Sequence, residues 1–159
     1  MTLEQKIKKL SNKYFSQVVD IRRHIHQFPE LSFQEFKTSK YIASLLKEWG
    51  IEFESNIAET GIVATIKGKN PESKTIALRA DMDALPIEEK NDIPYKSKNK
   101  GVMHACGHDA HTASLLGVML ILNELKDAFE GTIKCIFQPG EELLPGGAKL
   151  MIQQGVLEN

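Results

Sequence analysis

The 159-residue chain has little of several features, and each shortage narrows its fold and function. Its two cysteines are too few for the disulfide framework of a small secreted domain. Its net charge of -1 leaves no positive excess for binding nucleic acid or an anionic membrane. No apolar run approaches the roughly 18 residues of a membrane span, and the N-terminus lacks the apolar core of a signal peptide. These shortages predict a cytoplasmic globular protein with no nucleic-acid and no membrane partner.

Hydrophobic periodicity predicts two helices at the start of the chain. Apolar residues recur every three or four positions over residues 3–28, which indicates one long amphipathic helix that Pro29 ends. Ser32 and Glu35 have the spacing of a capping box, so a second helix is expected to begin near Phe33 and to close at Gly50. The side chains expected to point inward from this helix are Phe36, Ile42, Leu45, Leu46 and Trp49.

Three segments with strand character follow the helices. Residues 51–54 alternate in polarity, whereas residues 60–66 and 75–80 are rich in β-branched and apolar side chains. A turn-forming stretch between the last two predicts that they form a hairpin. The third strand leads directly into Asp81 and Asp83, which therefore lie where open α/β sheets usually build their sites.

The second half of the chain completes an alternating pattern of helices and strands. Residues 86–102 are rich in lysine, contain asparagine, proline and glycine, and are expected to form an exposed loop. Asp109 is a candidate N-cap for a helix over about residues 110–126. A strand over residues 131–138 and a short helix over residues 147–154 follow. The order of elements predicts an α/β layer fold.

Metal-capable side chains are concentrated in residues 103–112, which contain three of the five histidines and one of the two cysteines. Cys106 and His108 are two residues apart, so an extended or turn backbone can direct both side chains to the same side. Thiolate and imidazole are good zinc ligands, and the absence of paired Cys-x-x-Cys spacing favours an open catalytic site over a closed structural one. Cys135 lies in an apolar strand and is expected to be a buried thiol.

Two adjacent carboxylates complete the candidate site about thirty residues later. Pro139-Gly140 ends the strand, and Glu141 and Glu142 follow at once. Glu142 is expected to ligate the metal, while Glu141 takes the proton from a metal-bound water as general base. The resulting metal-bound hydroxide would attack a carbonyl group. Asp81 or Asp83 would orient a ligand imidazole or carry part of the metal's charge.

Four motifs follow one another along the chain, at residues 22–30, 79–86, 103–111 and 138–142. They closely resemble the successive motifs of the N-acyl-amino-acid amidohydrolases, a family that includes hippurate hydrolases, aminoacylase-like peptidases and plant auxin-conjugate hydrolases. The resemblance covers nearly the whole chain and implies a three-layer, zinc-peptidase-like α/β catalytic domain with a mixed central sheet flanked by helices.

The resemblance implies two divalent metal ions, zinc or manganese, with cobalt or nickel as alternatives. It implies that Cys106 bridges or joins the metals, that His108 and Glu142 each ligate one, and that Glu141 is the general base. The substrate would be an N-acyl amino acid or a small peptide-like conjugate. Five further side chains are candidates for supporting the ligands or contacting substrate: Asp81, Asp83, His104, Asp109 and His111.

Family members run to well over twice this length. They contain an inserted dimerisation domain and a C-terminal return to the catalytic domain, and those parts supply two further metal-ligand histidines. Residues 1–159 are therefore expected to be the N-terminal portion of the catalytic domain, weak or inactive alone, with a homodimer as the full-length form.

Two other interpretations remain open from the residues. The first is a thiol hydrolase that uses Cys106 and His104, which would need a lowered thiol pKa and no metal. The second is a non-catalytic fragment that binds metal or a partner.

Overall fold

The amphipathic stripe at the start of the chain forms helix α1, Leu3–Gln27, in the computed structural model, which describes residues 1–158. Thr2 and Gln5 form a reciprocal capping box at its start, and the helix ends just before Pro29 as predicted. Its buried face packs mainly on helix α3, which is described below. Within residues 1–158, none of the helices combines the length and the apolar character needed to cross a bilayer.

Helix α2, Phe36–Glu48, begins three residues later than the sequence predicted. Phe33 has a φ of 63°, a left-handed conformation that cannot belong to a right-handed helix, so the predicted start there was wrong. Phe36 was also wrongly predicted to point inward, since it is 62% exposed. The other four predicted inward residues of α2 lie in the core or pack against it.

The predicted capping box at Ser32 and Glu35 does not form. The Ser32 hydroxyl instead donates to the Asp83 carboxylate at 2.6 Å, and the Glu35 side chain makes no cap hydrogen bond. The carboxylate of Glu30 takes over this role by accepting the amides of the second and third helical residues at 2.9 and 2.8 Å. Ser32 and Glu35 therefore have the spacing of a capping box, but their side chains do not cap the helix.

The four strands form one mixed sheet in the order β1-β2-β4-β3. Strand β2, Gly61–Lys67, pairs antiparallel with both β1, Glu52–Ile57, and β4, Thr132–Gln138. Strand β3, Thr75–Asp81, pairs parallel with β4, so the predicted β2–β3 hairpin was wrong. Strand β4, whose last four residues are all buried, takes the central place between them.

Helix α3, His108–Glu124, is the crossover that makes the parallel β3–β4 pair possible. It begins two residues earlier than predicted. Its N-cap is Gly107, with a φ of 95°, so the N-cap role predicted for Asp109 was wrong. Asp109 lies in the first turn of the helix, and its side chain is buried in the interior. Helix α4, Gly147–Gln153, ends close to the predicted Gly155.

The parallel pairing of β3 and β4 brings the candidate site segments to one edge of the sheet. Asp81 at the end of β3 lies in register with Gln138 at the end of β4. The Met82 amide donates to the Gln138 carbonyl at 3.0 Å and holds the ends of β3 and β4 together. The predicted α/β class, a mixed sheet flanked by helices, is confirmed.

One buried carboxyl in this fold predicts a pH effect on stability. Glu35 is fully buried, and burial raises the pKa of its carboxyl above the ordinary 4.5. The unfolded chain therefore ionises Glu35 at lower pH than the folded chain does. As the pH rises above about 4.5, the wild type should progressively lose stability relative to Glu35→Gln. Urea unfolding of both proteins between about pH 4 and pH 7 measures this, and a stability difference that is independent of pH would contradict it.

Candidate metal centre

The three predicted metal ligands meet where β3 and β4 end. Cys106 lies in the loop before α3, His108 is the first residue of α3, and Glu142 follows β4. One donor atom from each lies within 4.8 Å of those of the other two. Two ligands of a single tetrahedral zinc ion are roughly 3.3 to 3.6 Å apart, given zinc–ligand distances of about 2.0 to 2.3 Å. Small side-chain rotations would bring the three atoms around one ion or an adjacent pair.

The hydrogen bonds of His108 leave one ring nitrogen free for a cation. Its Nδ1 lies 2.9 Å from the Asp83 carbonyl oxygen and 3.2 Å from the Asp83 carboxylate. Both partners only accept, so Nδ1 carries a hydrogen, and Nε2 is the nitrogen that can bind a cation. Nε2 lies 4.0 Å from a carboxylate oxygen of both Glu141 and Glu142. The hydrogen bond to Asp83 raises the pKa of His108 to about 9, so in the metal-free chain Nε2 is protonated at neutral pH and a metal ion has to displace that proton.

Asp83 joins the imidazole to the acidic turn. It is 1% exposed, and its second carboxylate oxygen accepts the Ser32 hydroxyl at 2.6 Å and the Glu142 amide at 3.0 Å. Burial alone would raise the pKa of Asp83, but the hydrogen bonds from His108, Ser32 and the turn outweigh burial and hold it at about 2. Asp83 is therefore ionised at neutral pH, and it has the geometry expected of a residue that orients a ligand imidazole.

The surroundings of Cys106 weigh against the thiol-hydrolase interpretation. Its thiol is exposed, and a hydrogen bond to the Glu142 carboxylate raises the thiol pKa, whereas a nucleophilic cysteine needs a lowered one. His104, the base in that interpretation, is 4% exposed, and burial lowers its pKa to about 4. Neither ring nitrogen of His104 has a hydrogen-bond partner among residues 1–158. The structure therefore does not pair His104 with the thiol.

Asp81 and His111 form a second polar group beside the ligands. The Asp81 carboxylate accepts from Arg79 at 3.2 Å and lies 3.4 Å from Nδ1 of His111. Arg79 also donates to the Gln138 side chain at 2.9 Å. Asp83, rather than Asp81, is thus the carboxylate that contacts His108. His111 is half-exposed, so its outer face is open to solvent.

A family comparison includes all of these site segments. The model of Peptidase family M20/M25/M40 matches residues 77–159, more than half of the chain. The chain belongs to this family. The matched region contains the ends of β3 and β4, the candidate ligands Cys106, His108 and Glu142, and the adjacent Glu141.

Sequence comparison with named proteins supports the assignment of this chain to the M20 family. The chain is 52% identical over 142 residues to the N-acetyl-L-cysteine deacetylase of Bacillus subtilis. This alignment covers 89% of this chain and 34% of the deacetylase. It is 48% identical over 158 residues to the N-acyl-L-amino acid amidohydrolase of Geobacillus stearothermophilus. That alignment covers 99% of this chain and 42% of the amidohydrolase. The chain therefore spans about two fifths of the length of such relatives.

A solved structure shares both the fold and the family. It is a dinuclear metal-binding peptidase of the M20 family from Bacillus subtilis, which superposes with a TM-score of 0.88 at 44% identity. The likeness covers 92% of this M20 chain and 41% of that one. The N-terminal part of an M20 peptidase and this chain thus have the same architecture.

A buried charge network behind the centre of this M20 chain was missed from the sequence. The Asp109 carboxylate lies 2.7 Å from both Arg22 Nε and His26 Nδ1, and His26 Nε2 lies 3.1 Å from Glu89. Glu89 is 3% exposed, so the expectation that residues 86–102 are all exposed was wrong at this position. Arg22 and His26, four apart on α1, form a polar stripe that could have indicated the network. Nothing in the local sequence distinguishes Glu89 from its exposed neighbours.

Replacing Asp83 by asparagine should damage this arrangement. Asparagine offers one acceptor oxygen, so its amide group would face either the His108 N–H or the donors at Glu142 and Ser32. We expect a loss of about 1–3 kcal/mol in the free energy of unfolding, because a buried donor loses its acceptor. Urea denaturation measures it, with Asp92→Asn at an exposed position as the matched control. Equal stability of the two variants would contradict the role of Asp83.

Proposed function

We propose that Cys106, His108 and Glu142 bind one or two divalent metal ions, with zinc and manganese as the candidates and cobalt or nickel as alternatives. Three features support the proposal: the convergence of a sulfur, a nitrogen and an oxygen donor, the hydrogen bond that turns Nε2 of His108 towards the site, and the two carboxylates near that nitrogen. A mixed set of thiolate, imidazole and carboxylate suits zinc and tolerates manganese or cobalt. The related Bacillus subtilis peptidase is described as dinuclear, which supports two ions in the whole protein.

We propose further that the whole protein hydrolyses the amide bond of N-acyl amino acids or small peptide-like conjugates. Membership of the M20 family and the names of the relatives support this class of substrate. When bound, a metal ion polarises the amide carbonyl and lowers the pKa of water. The chain's own contribution to the chemistry is then to hold the ligands and to move the proton.

The observation that carries this proposal is an additional carboxylate beside the three candidate ligands. An oxygen of Glu141 lies 4.0 Å from His108 Nε2, and its side chain is 41% exposed against 25% for Glu142. The backbone amide of Glu142 donates a hydrogen bond to Asp83, and its carboxylate is hydrogen-bonded to the Cys106 thiol. Glu142 is therefore held in place and suits a fixed ligand. Glu141 is the more accessible of the two, so it suits a general base that takes a proton from water and returns it to the leaving amine.

The chain corresponds, in this proposal, to the N-terminal part of an M20 catalytic domain. It spans about two fifths of its relatives, and it supplies three convincing donors where a dinuclear site usually needs about five. The remaining donors would come from the C-terminal part of that domain, and an inserted domain would form a homodimer. The isolated chain would then be a metal-binding fragment with little or no turnover.

A chimera tests the proposed function. This chain would replace the matching N-terminal segment of the Geobacillus stearothermophilus amidohydrolase, over the 158 residues they share. We expect the manganese-loaded chimera to hydrolyse hippurate and N-acetyl amino acids. Glu141→Gln in the chimera should lower kcat at least about 100-fold, because general-base catalysis contributes about that much or more. The exposed Glu72→Gln is the matched control.

The outcomes of this assay separate the two parts of the proposal. Wild-type kcat in the Glu141→Gln chimera would contradict the general-base role. Turnover of the isolated 159-residue chain near that of a full-length relative would contradict the proposal that the chain is an incomplete catalytic unit. Activity that survives a chelator at full strength would contradict the metal site.

A further inference from the structure

The Glu35 side chain makes a contact that the proposed function does not use. Glu35 is fully buried in the segment between α1 and α2, and one of its oxygens accepts the Gly140 amide at 2.8 Å. Its other oxygen accepts the Thr60 hydroxyl at 2.7 Å. Each oxygen thus has a partner, so the orientation of the carboxylate is defined. Gly140 directly precedes the two glutamates of the candidate site.

The backbone at Gly140 is held from more than one side. Gly140 has a φ of 53°, and a Cβ there would come within 2.4 to 2.6 Å of the Phe33 ring. A side chain at this position would therefore collide with an aromatic ring that lies directly against the turn. The Gly140 carbonyl also accepts the Gly147 amide at 2.9 Å, at the start of α4. Phe33 and Glu35 flank the turn from one short segment, which explains why that segment is not helical.

Two hydrogen bonds from different residues therefore fix the acidic turn at points two residues apart. Asp83 accepts the Glu142 amide, and Glu35 accepts the Gly140 amide. Glu141 stands between these two anchored amides. Neither of its neighbours can shift without breaking a hydrogen bond to a buried acceptor.

We propose that Glu35 is a positioning residue for the candidate metal centre, and that it acts by holding the Gly140 amide and so the turn that carries Glu141 and Glu142. This inference rests on the proposed metal site. Glu35 touches no candidate ligand, so it acts only through the backbone of the turn. What it supplies is a buried acceptor of fixed position, and a neutral acceptor of the same shape should serve as well.

Three substitutions separate positioning from general stability. Glu35→Leu removes the acceptor at similar volume, whereas Glu35→Gln retains an oxygen for the Gly140 amide. Thr60→Val is the matched control, because it removes the other hydrogen bond of Glu35 and leaves the one to Gly140. The readout is the dissociation constant for cobalt, followed by the sulfur-to-cobalt absorption band that a Cys106 thiolate would give.

Loss of the acceptor should weaken cobalt binding by roughly 10- to 100-fold in Glu35→Leu, as is usual for residues that orient metal ligands. Glu35→Gln and Thr60→Val should bind cobalt within about threefold of the wild type. Amide hydrogen exchange of the metal-free protein gives an independent readout. Exchange at Gly140 should speed up in Glu35→Leu and stay unchanged in Thr60→Val.

The results that overturn the inference differ from those that overturn the metal site. Wild-type cobalt affinity in folded Glu35→Leu overturns the positioning role while leaving the site intact. Should Glu35→Leu fail to fold, Glu35→Asp withdraws the carboxylate by one methylene, and unchanged affinity in that variant overturns the role equally. A wild-type chain without a Cys106-dependent band overturns the metal site, and unchanged Gly140 exchange in Glu35→Leu then overturns the positioning role as well.

Discussion

The rest of the candidate site depends on the buried carboxylate of Asp83. One of its oxygens faces the His108 ring, and the other accepts the Ser32 hydroxyl and the Glu142 amide. These contacts hold Asp83 ionised, with its pKa at about 2, although burial opposes the charge. The same charge holds a hydrogen on Nδ1 of His108 and so leaves Nε2 as the nitrogen that faces a metal. A single side chain thus ties the segment after α1, the start of α3 and the turn after β4 to one point.

Sheet topology makes that convergence possible. Strands β3 and β4 run parallel, and helix α3 returns the chain between them, so the end of each strand and the start of the helix lie at one edge. The N-terminal segment adds a layer of support behind this edge. Glu35 and Ser32 reach the acidic turn and Asp83, while Arg22 and His26 on α1 hold Asp109 at the start of α3. Each candidate ligand lies close to a regular element: Cys106 and His108 stand at the start of α3, and Glu142 lies four residues after the end of β4.

Features that depend on local sequence pattern were predicted correctly. Predictions failed where contacts between residues far apart in the chain determine the structure. The stripe on α1 and the α/β class follow from periodicity, and Cys106, His108 and Glu142 follow from residue chemistry and family resemblance. The β2–β3 hairpin was wrong because β4, more than fifty residues later, inserts between those strands. The capping box was wrong because Ser32 has a distant carboxylate as its partner, and local spacing cannot reveal one. Burial of Glu89 depends in the same way on His26, which lies on another element.

X-ray absorption at the zinc edge tests most directly the central claim that a thiolate, an imidazole and a carboxylate from separate segments share a metal. The measurement needs only this chain loaded with one equivalent of zinc. Shared coordination by Cys106, His108 and Glu142 should give one sulfur at about 2.3 Å together with nitrogen or oxygen neighbours at about 2.0 to 2.1 Å, including the outer-shell scattering of an imidazole. A zinc environment made only of oxygen and nitrogen, without sulfur, would contradict it.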